Sequence, residues 1–203
     1  MVHRFVIRSD GREYEPKEGE ATTITGREIS VVKESTIGPF RCVAETIFPK
    51  EGEFILSRYR YKVEKPLDNL GRIYVFMHCV ENQFKDYLAV LPDSTVLAER
   101  VDKDDGKFVL KRDVKAVVYY SRSSQLGMAF VYPEVYKGAT SSKDFISNMI
   151  WDRKTDNKLY FNAAVKDHKV GDEFEYHLKF TPFVAGPEEW KSLGKGLAEE
   201  TGF

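Results

Sequence analysis

The stretch SRYRYK at 57–62 places Arg58, Arg60 and Lys62 two residues apart. In a β-strand that spacing puts all three cations on one face and Tyr59, Tyr61 and Val63 on the other. Guanidinium groups bind carboxylates in bidentate fashion, and tyrosine rings lie against the apolar faces of sugars while their hydroxyls stay hydrogen-bonded. The strand therefore suits a polysaccharide or a uronic acid. Its plainer role is a solvated cationic face over buried tyrosines, the usual arrangement in antiparallel sheets.

A second run, RIYVFMHCV at 72–80, sets Arg72, Tyr74, Phe76 and His78 on one strand face and Ile73, Val75, Met77 and Cys79 on the other. Imidazole titrates near neutral pH, so His78 is the candidate for general acid or base work. Consecutive strands usually pair, and pairing with 53–64 would bring His78 beside the arginine face, or beside the tyrosine face in the alternative register. The candidate site is then His78 as the catalytic group, with Arg58, Arg60 and Tyr74 as substrate contacts and Arg122 as a further anion contact. Against this stands an imidazole hydrogen-bonded within a sheet.

The other titratable clusters offer less. His177 shares a face with Glu175 and Lys179 and reads as a surface residue, His168 falls in the turn KDHKVGD, and His3 is near the terminus. No two of the four histidines have a local metal-ligand spacing. DKDDG at 102–106 lacks the register of an EF-hand loop and reads as a hairpin turn. The chain has no GxSxG, Walker A, dinucleotide-binding glycine fingerprint, HExxH or paired CxxC, so no cofactor and no metal are expected.

The elements that would position these residues are almost all strands. Runs rich in branched and aromatic residues recur at 2–8, 27–34, 40–48, 53–64, 72–80, 86–91, 95–101, 107–112, 115–123, 126–132, 158–165 and 172–180. Turn residues separate them at SDG 9–11, IGP 37–39, PKEG 49–52, DNLG 68–71, DDG 104–106 and TDN 155–157. Twelve short strands at this spacing predict an all-β antiparallel β-sandwich. A short amphipathic helix is expected at 186–200, with Pro187 at its first turn and Trp190, Leu193 and Leu197 on one face. The segment 141–152 is either a second helical turn or an irregular loop.

Length and composition set bounds. The 203 residues fit a single domain spanning 1–203, and fourteen Phe, eleven Tyr and two Trp supply ample core material. A formal net charge of -1 offers no global attraction for nucleic acid or an anionic membrane. Cys42 and Cys79 sit in strand-like runs and read as buried thiols. MVHRFVIRSD has no apolar h-region, so a cytoplasmic location is expected, the alternative being an engineered start that replaces a signal peptide.

From RYRYKVEKPLDNLGRIYVFMHCVEN through SRSSQLGMAFVYPE and MIWD to KVGDEFEYHLKFTPF, roughly residues 53–183, the order of features resembles the galactose mutarotase-like β-sandwich superfamily. The resemblance implies carbohydrate binding or processing on a concave sheet. The paired-histidine motif of the epimerases is missing, which argues against epimerase activity. Three functions follow as expectations: a sugar-binding or sugar-processing β-sandwich, a non-catalytic interaction or accessory module of a larger enzyme, and a lipocalin-like barrel for an apolar ligand.

Overall fold

The structure is a computed structural model and describes residues 2–15, 24–66, 72–80, 83–101, 106–132, 148–152, 156–164 and 169–200. It contains strands β1 (Val2–Ser9), β2 (Arg12–Tyr14), β3 (Glu28–Ile37), β4 (Phe40–Pro49), β5 (Ile55–Val63), β6 (Arg72–Val80) and β7 (Asp86–Val90). They are followed by β8 (Val96–Arg100), β9 (Phe108–Arg112), β10 (Ala116–Ser121), β11 (Leu126–Val131), β12 (Asn148–Trp151), β13 (Asp156–Ala164) and β14 (Glu173–Val184). One helix, α1 (Trp190–Glu199), closes the chain. All twelve expected strands form, together with β2 and β12. The chain divides into two compact units, residues 1–70 with 134–139 and 167–180, and residues 71–133 with 140–166 and 181–203.

In the first unit the strand order is β2-β1-β3-β4-β5-β14, every pair antiparallel. Two-residue turns make its first hairpins. Asp10 and Gly11, at φ 47° and 79°, join β1 to β2, and Gly38, at φ 57°, opens the turn into β4. Such positive φ values match the twist of the flanking strands. Alternation gives the sheet two unlike faces. Cys42, Tyr61 and Phe174 stand in one cross-strand row and are buried, while Arg41, Lys62 and Glu173 stand in the adjacent row on the opposite face and are exposed. Tyr61 stacks on Phe174 at 4.9 Å, and Phe40 meets both rings edge-on. Burial pushes the Cys42 thiol up to about 11 and raises Tyr61 as well.

In the second unit the last four residues of β14 lead a sheet of order β14-β11-β10-β7-β8, and a second sheet runs β6-β13-β12-β9. Every residue of β7 and β10 is buried. Their near-continuous apolar sequences, DYLAV and AVVYYS, are what a strand covered on both faces requires. On one face Leu88, Val90, Ala116, Val118 and Tyr120 pack with Trp190 and Ala198 of α1. Trp190 stacks flat on Tyr120 at 5.0 Å with the planes 2° apart, and the Tyr120 hydroxyl donates to the Ala185 carbonyl at 2.7 Å. On the other face the Tyr87 hydroxyl reaches the Val109 carbonyl of β9 and Glu99 of β8.

Two glycines permit this packing. A Cβ on Gly194 would lie 2.7 Å from Val118 Cγ1, and one on Gly127 would lie 2.0 Å from the Phe183 ring. The buried stripe of α1 is therefore Trp190, Gly194 and Ala198. Leu193, expected to share it, is exposed.

The structure corrects four further expectations. Met149 and Ile150, read as part of a helical turn or loop over 141–152, belong to strand β12, and residues 141–147 lie outside the described residues. Asp156 and Asn157, read as a turn, begin β13. The strands flanking DKDDG do not pair with one another. β8 pairs with β7 and β9 with β12, so the connection runs between two sheets instead of closing a hairpin. Finally, β5 and β6 do not pair: β5 lies between β4 and β14, and β6 pairs with β13. Among the described residues each sheet's strand order has ends, so neither sheet forms the closed barrel that the lipocalin-like reading needs.

Candidate functional site

The charged face of the first unit is built by three strands in register. Arg41 of β4, Lys62 of β5 and Glu173 of β14 form one cross-strand row, and Val43, Arg60 and Glu175 form the next. Glu45, Arg58 and His177 form a third. A groove of about 450 Å³ lies among the first two rows. Tyr61 and Phe174 also line it, but alternation turns their rings to the opposite face, where they stack on one another.

Each cation here has a carboxylate close by, with one exception. Arg41 Nη2 lies 3.2 Å from Glu34, Arg60 Nη2 lies 3.7 Å from Glu45, and Lys62 Nζ lies 3.1 Å from Glu173. His177 Nε2 is hydrogen-bonded to Glu175. The exception is Arg58, whose Nε is buried without a hydrogen-bond partner among the described residues. Farther along, Arg8 and Arg4 both engage Glu13, and these contacts hold its carboxyl below the usual range. The face is thus a near-neutral lattice of N–H donors and carboxylate acceptors. Such a lattice can hydrogen-bond hydroxyls in both directions, because each hydroxyl donates once and accepts twice.

The expected site residues fall in three places. Arg58 and Arg60 share this face, and the latter lines the groove. Tyr74 and His78 lie on β6 in the second unit, opposite Asn162 and Lys158 of β13, and their side chains lie outside the described residues. Arg122 sits in the turn between β10 and β11. Its Nε and Nη2 donate to the buried carboxylate of Asp86 at 2.9 and 3.0 Å, and this hydrogen-bonded pairing raises its pKa. Arg100 Nε approaches the same carboxylate at 3.8 Å. The Asp86 tie gives Arg122 a structural task, fixing the β10–β11 turn to β7.

Sequence reasoning passed over Arg41, Glu173 and Glu175 as groove residues. Their alternation in FRCVAE and DEFEYH was visible, but the pairing of β5 with β14 joins segments over a hundred residues apart and leaves no local mark. His177 lies on the same face as Glu175, as alternation required, and is partly exposed. Among the described residues no group of three His, Cys, Asp or Glu converges as a metal site. No helix among them is long and apolar enough to cross a membrane.

No family profile matches the chain, and no curated protein sequence matches it. The chain is a mostly β protein whose fold is similar to part of solved α-galactosidase chains, at low sequence identity. It is similar to the galactosidase domain of the α-galactosidase-sucrose kinase AgaSK, with a TM-score of 0.56, 7% identity, and coverage of 92% of this chain and 28% of that one. It is similar also to the GH36 α-galactosidase AgaB of Geobacillus stearothermophilus, with a TM-score of 0.53, 8% identity, and coverage of 90% and 30%. A galactose mutarotase-like protein of Lactobacillus casei matches at a TM-score of 0.43 and 10% identity over 88% of this chain and 80% of that one. The chain spans less than a third of the length of the two galactosidase chains.

Proposed function

We propose that this protein binds carbohydrate, taking a hydroxyl-rich sugar on the charged face of its first unit. The observation that carries the reading is the groove in which Arg41, Arg60 and Lys62 alternate with Glu173 and Glu175. With these carboxylates lining it and the aromatic rings turned away, the groove favours a neutral sugar held by hydrogen bonds over a uronic acid or a stacked ring. The fold shared with galactosidase chains is consistent with a saccharide ligand.

Calorimetric titration with neutral and acidic oligosaccharides tests this. Neutral sugars are expected to bind more tightly than galacturonate oligomers, and Arg60→Ala and Glu175→Gln each to weaken them by about tenfold, equivalent to about 1.4 kcal/mol. Absence of binding at millimolar sugar, or affinity indifferent to both changes, removes the groove from consideration.

A second reading, an accessory module of a larger enzyme, is favoured by the match to less than a third of each galactosidase chain. It predicts sugar binding without turnover of chromogenic glycosides. His78 remains the proposed acid–base group for a module that also processes its ligand.

A further inference from the structure

The opposite face of the same sheet has a different chemistry. Register places Phe5, Lys33, Ala44 and Tyr59 in one row, Ile7, Val31, Thr46 and Ser57 in the next, and Ile29 beside Phe48 in a third. Small side chains at Ala44 and Thr46 leave a trough of about 340 Å³, walled by Val31, Lys33, Phe48 and Tyr59. That volume lies in the range of small-molecule sites, about 300–1,000 Å³. Phe48 is 41% exposed and Phe5 at its flank 38%, so this part of the face stands open.

Lys33 is the one charged residue in these three rows. Every described ion pair of the unit's β-strands joins residues of the charged face or the turn strand β2, and none includes Lys33. Its ammonium instead lies 5.8 Å from the centre of the Phe5 ring. A cation over an aromatic face beside an apolar trough lacks the carboxylate that all but one of the opposite face's cations possess. The trough itself offers few hydrogen-bond partners. Thr46 contributes a hydroxyl, and the Tyr59 hydroxyl is already engaged with Ser57. A sugar seated here would leave most of its hydroxyls unpaired, at a cost for each one withdrawn from water.

We propose that this trough binds an amphipathic monocarboxylate, its hydrocarbon part lying between Phe48 and Tyr59 and its carboxylate on Lys33. The site is independent of the saccharide groove and stands or falls without it.

Titration with octanoate tests the proposal, with octyltrimethylammonium, octyl glucoside and glucuronate as comparators. Octanoate is expected to bind, octyltrimethylammonium not to bind, and octyl glucoside and glucuronate to bind at least tenfold more weakly. Lys33→Gln is expected to weaken octanoate by tenfold or more with an unchanged melting temperature, because the side chain is exposed. Ala44→Leu, which fills the trough, should abolish binding, and Lys33→Glu should transfer the preference to octyltrimethylammonium. Failure of octanoate to bind overturns the proposal, as does equal binding of octanoate and octyl glucoside or retention of affinity in Lys33→Gln. Tighter binding of glucuronate than of octanoate would show an acidic sugar to be the occupant, and would equally overturn it.

Discussion

The two units solve the same problem, burying a β-sheet, in different ways. In the first, the paired stretches of β4 and β5 beside the groove alternate: Phe40, Cys42, Tyr61 and Val63 go in, and Arg41, Arg60 and Lys62 go out. In the second, β7 and β10 are buried at every position, with α1 covering one face and the Tyr87 hydroxyl on the other reaching the Val109 carbonyl of β9. The difference shows where chemistry has room. A strand with one free face can carry cations and carboxylates at little energetic cost, whereas a strand covered twice admits only groups that find a partner. Asp86 marks that limit, being 3% exposed and hydrogen-bonded to Arg122.

The contrast can be broken most forcefully at Trp190. Trp190→Ala removes a fully buried indole from the face of Tyr120 and is expected to cost about 3–5 kcal/mol, measured by urea unfolding. No exposed charge in the first unit should approach that value. A cost below about 1 kcal/mol would mean that α1 contributes little to burying β10.

Alkaline pH should act through the first unit. The Cys42 thiol is raised from 9.0 to about 11, and burial also raises Tyr61. An acid whose folded pKa is raised keeps its proton in the native state after the unfolded chain has lost its own. Stability is therefore expected to be intact below pH 9 and to fall as pH rises from 9 to 11. Cys42→Ala should flatten the first part of that fall, as followed by thermal melts across pH. The native thiol should also react slowly with a thiol reagent at pH 8 and rapidly after denaturation.

Charge deletions should separate the units by a smaller margin. Asp86→Ala is expected to cost about 1 kcal/mol, a net figure because the two arginines regain water. Glu173→Ala, which removes an exposed partner of Lys62, should change stability by less than about 0.5 kcal/mol. Equal costs would erase the distinction between covered and open faces. The smallest stability effect is expected at His78: His78→Ala should leave the melting temperature nearly unchanged while lowering sugar binding or turnover by about tenfold or more. A loss of several degrees without any ligand effect would retire it as a site residue.

Much of the fold was legible because local pattern governs it. Alternation in SRYRYKV assigned the in and out faces of β5, and the branched and aromatic run KAVVYYSRS marked β10 as a strand. What could not be read is which distant strands meet. Nothing in RIYVFMHCV announces that its partner is β13 and not β5, since either neighbour would satisfy the same alternation. β12 was obscured for a related reason: NMIW is too short to display a period, and its Met and Ile suit a helix equally well. The charged groove was half legible. Arg58, Arg60 and Lys62 were visible as a set, but the glutamates that balance them come from β14 and enter only through long-range register. Leu193 and Gly194 reverse the expected helix stripe because close approach to Val118 selects for absence of a side chain, a demand set by the neighbour and not by the helix.

The Phe183 ring over Gly127 has a consequence for how the chain reaches its native alignment. A one-residue slip of β11 against its neighbours would put Leu126, Met128 and Phe130 where Gly127, Ala129 and Val131 now stand, and the bulkier set would overpack that face. A two-residue slip escapes that filter, since it preserves which face each residue occupies. It would, however, bring Gln125 or Ala129 beneath the Phe183 ring, where even a Cβ atom collides. The missing side chain thus acts as a proofreading step: it favours the correct alignment over errors that hydrophobic patterning does not detect.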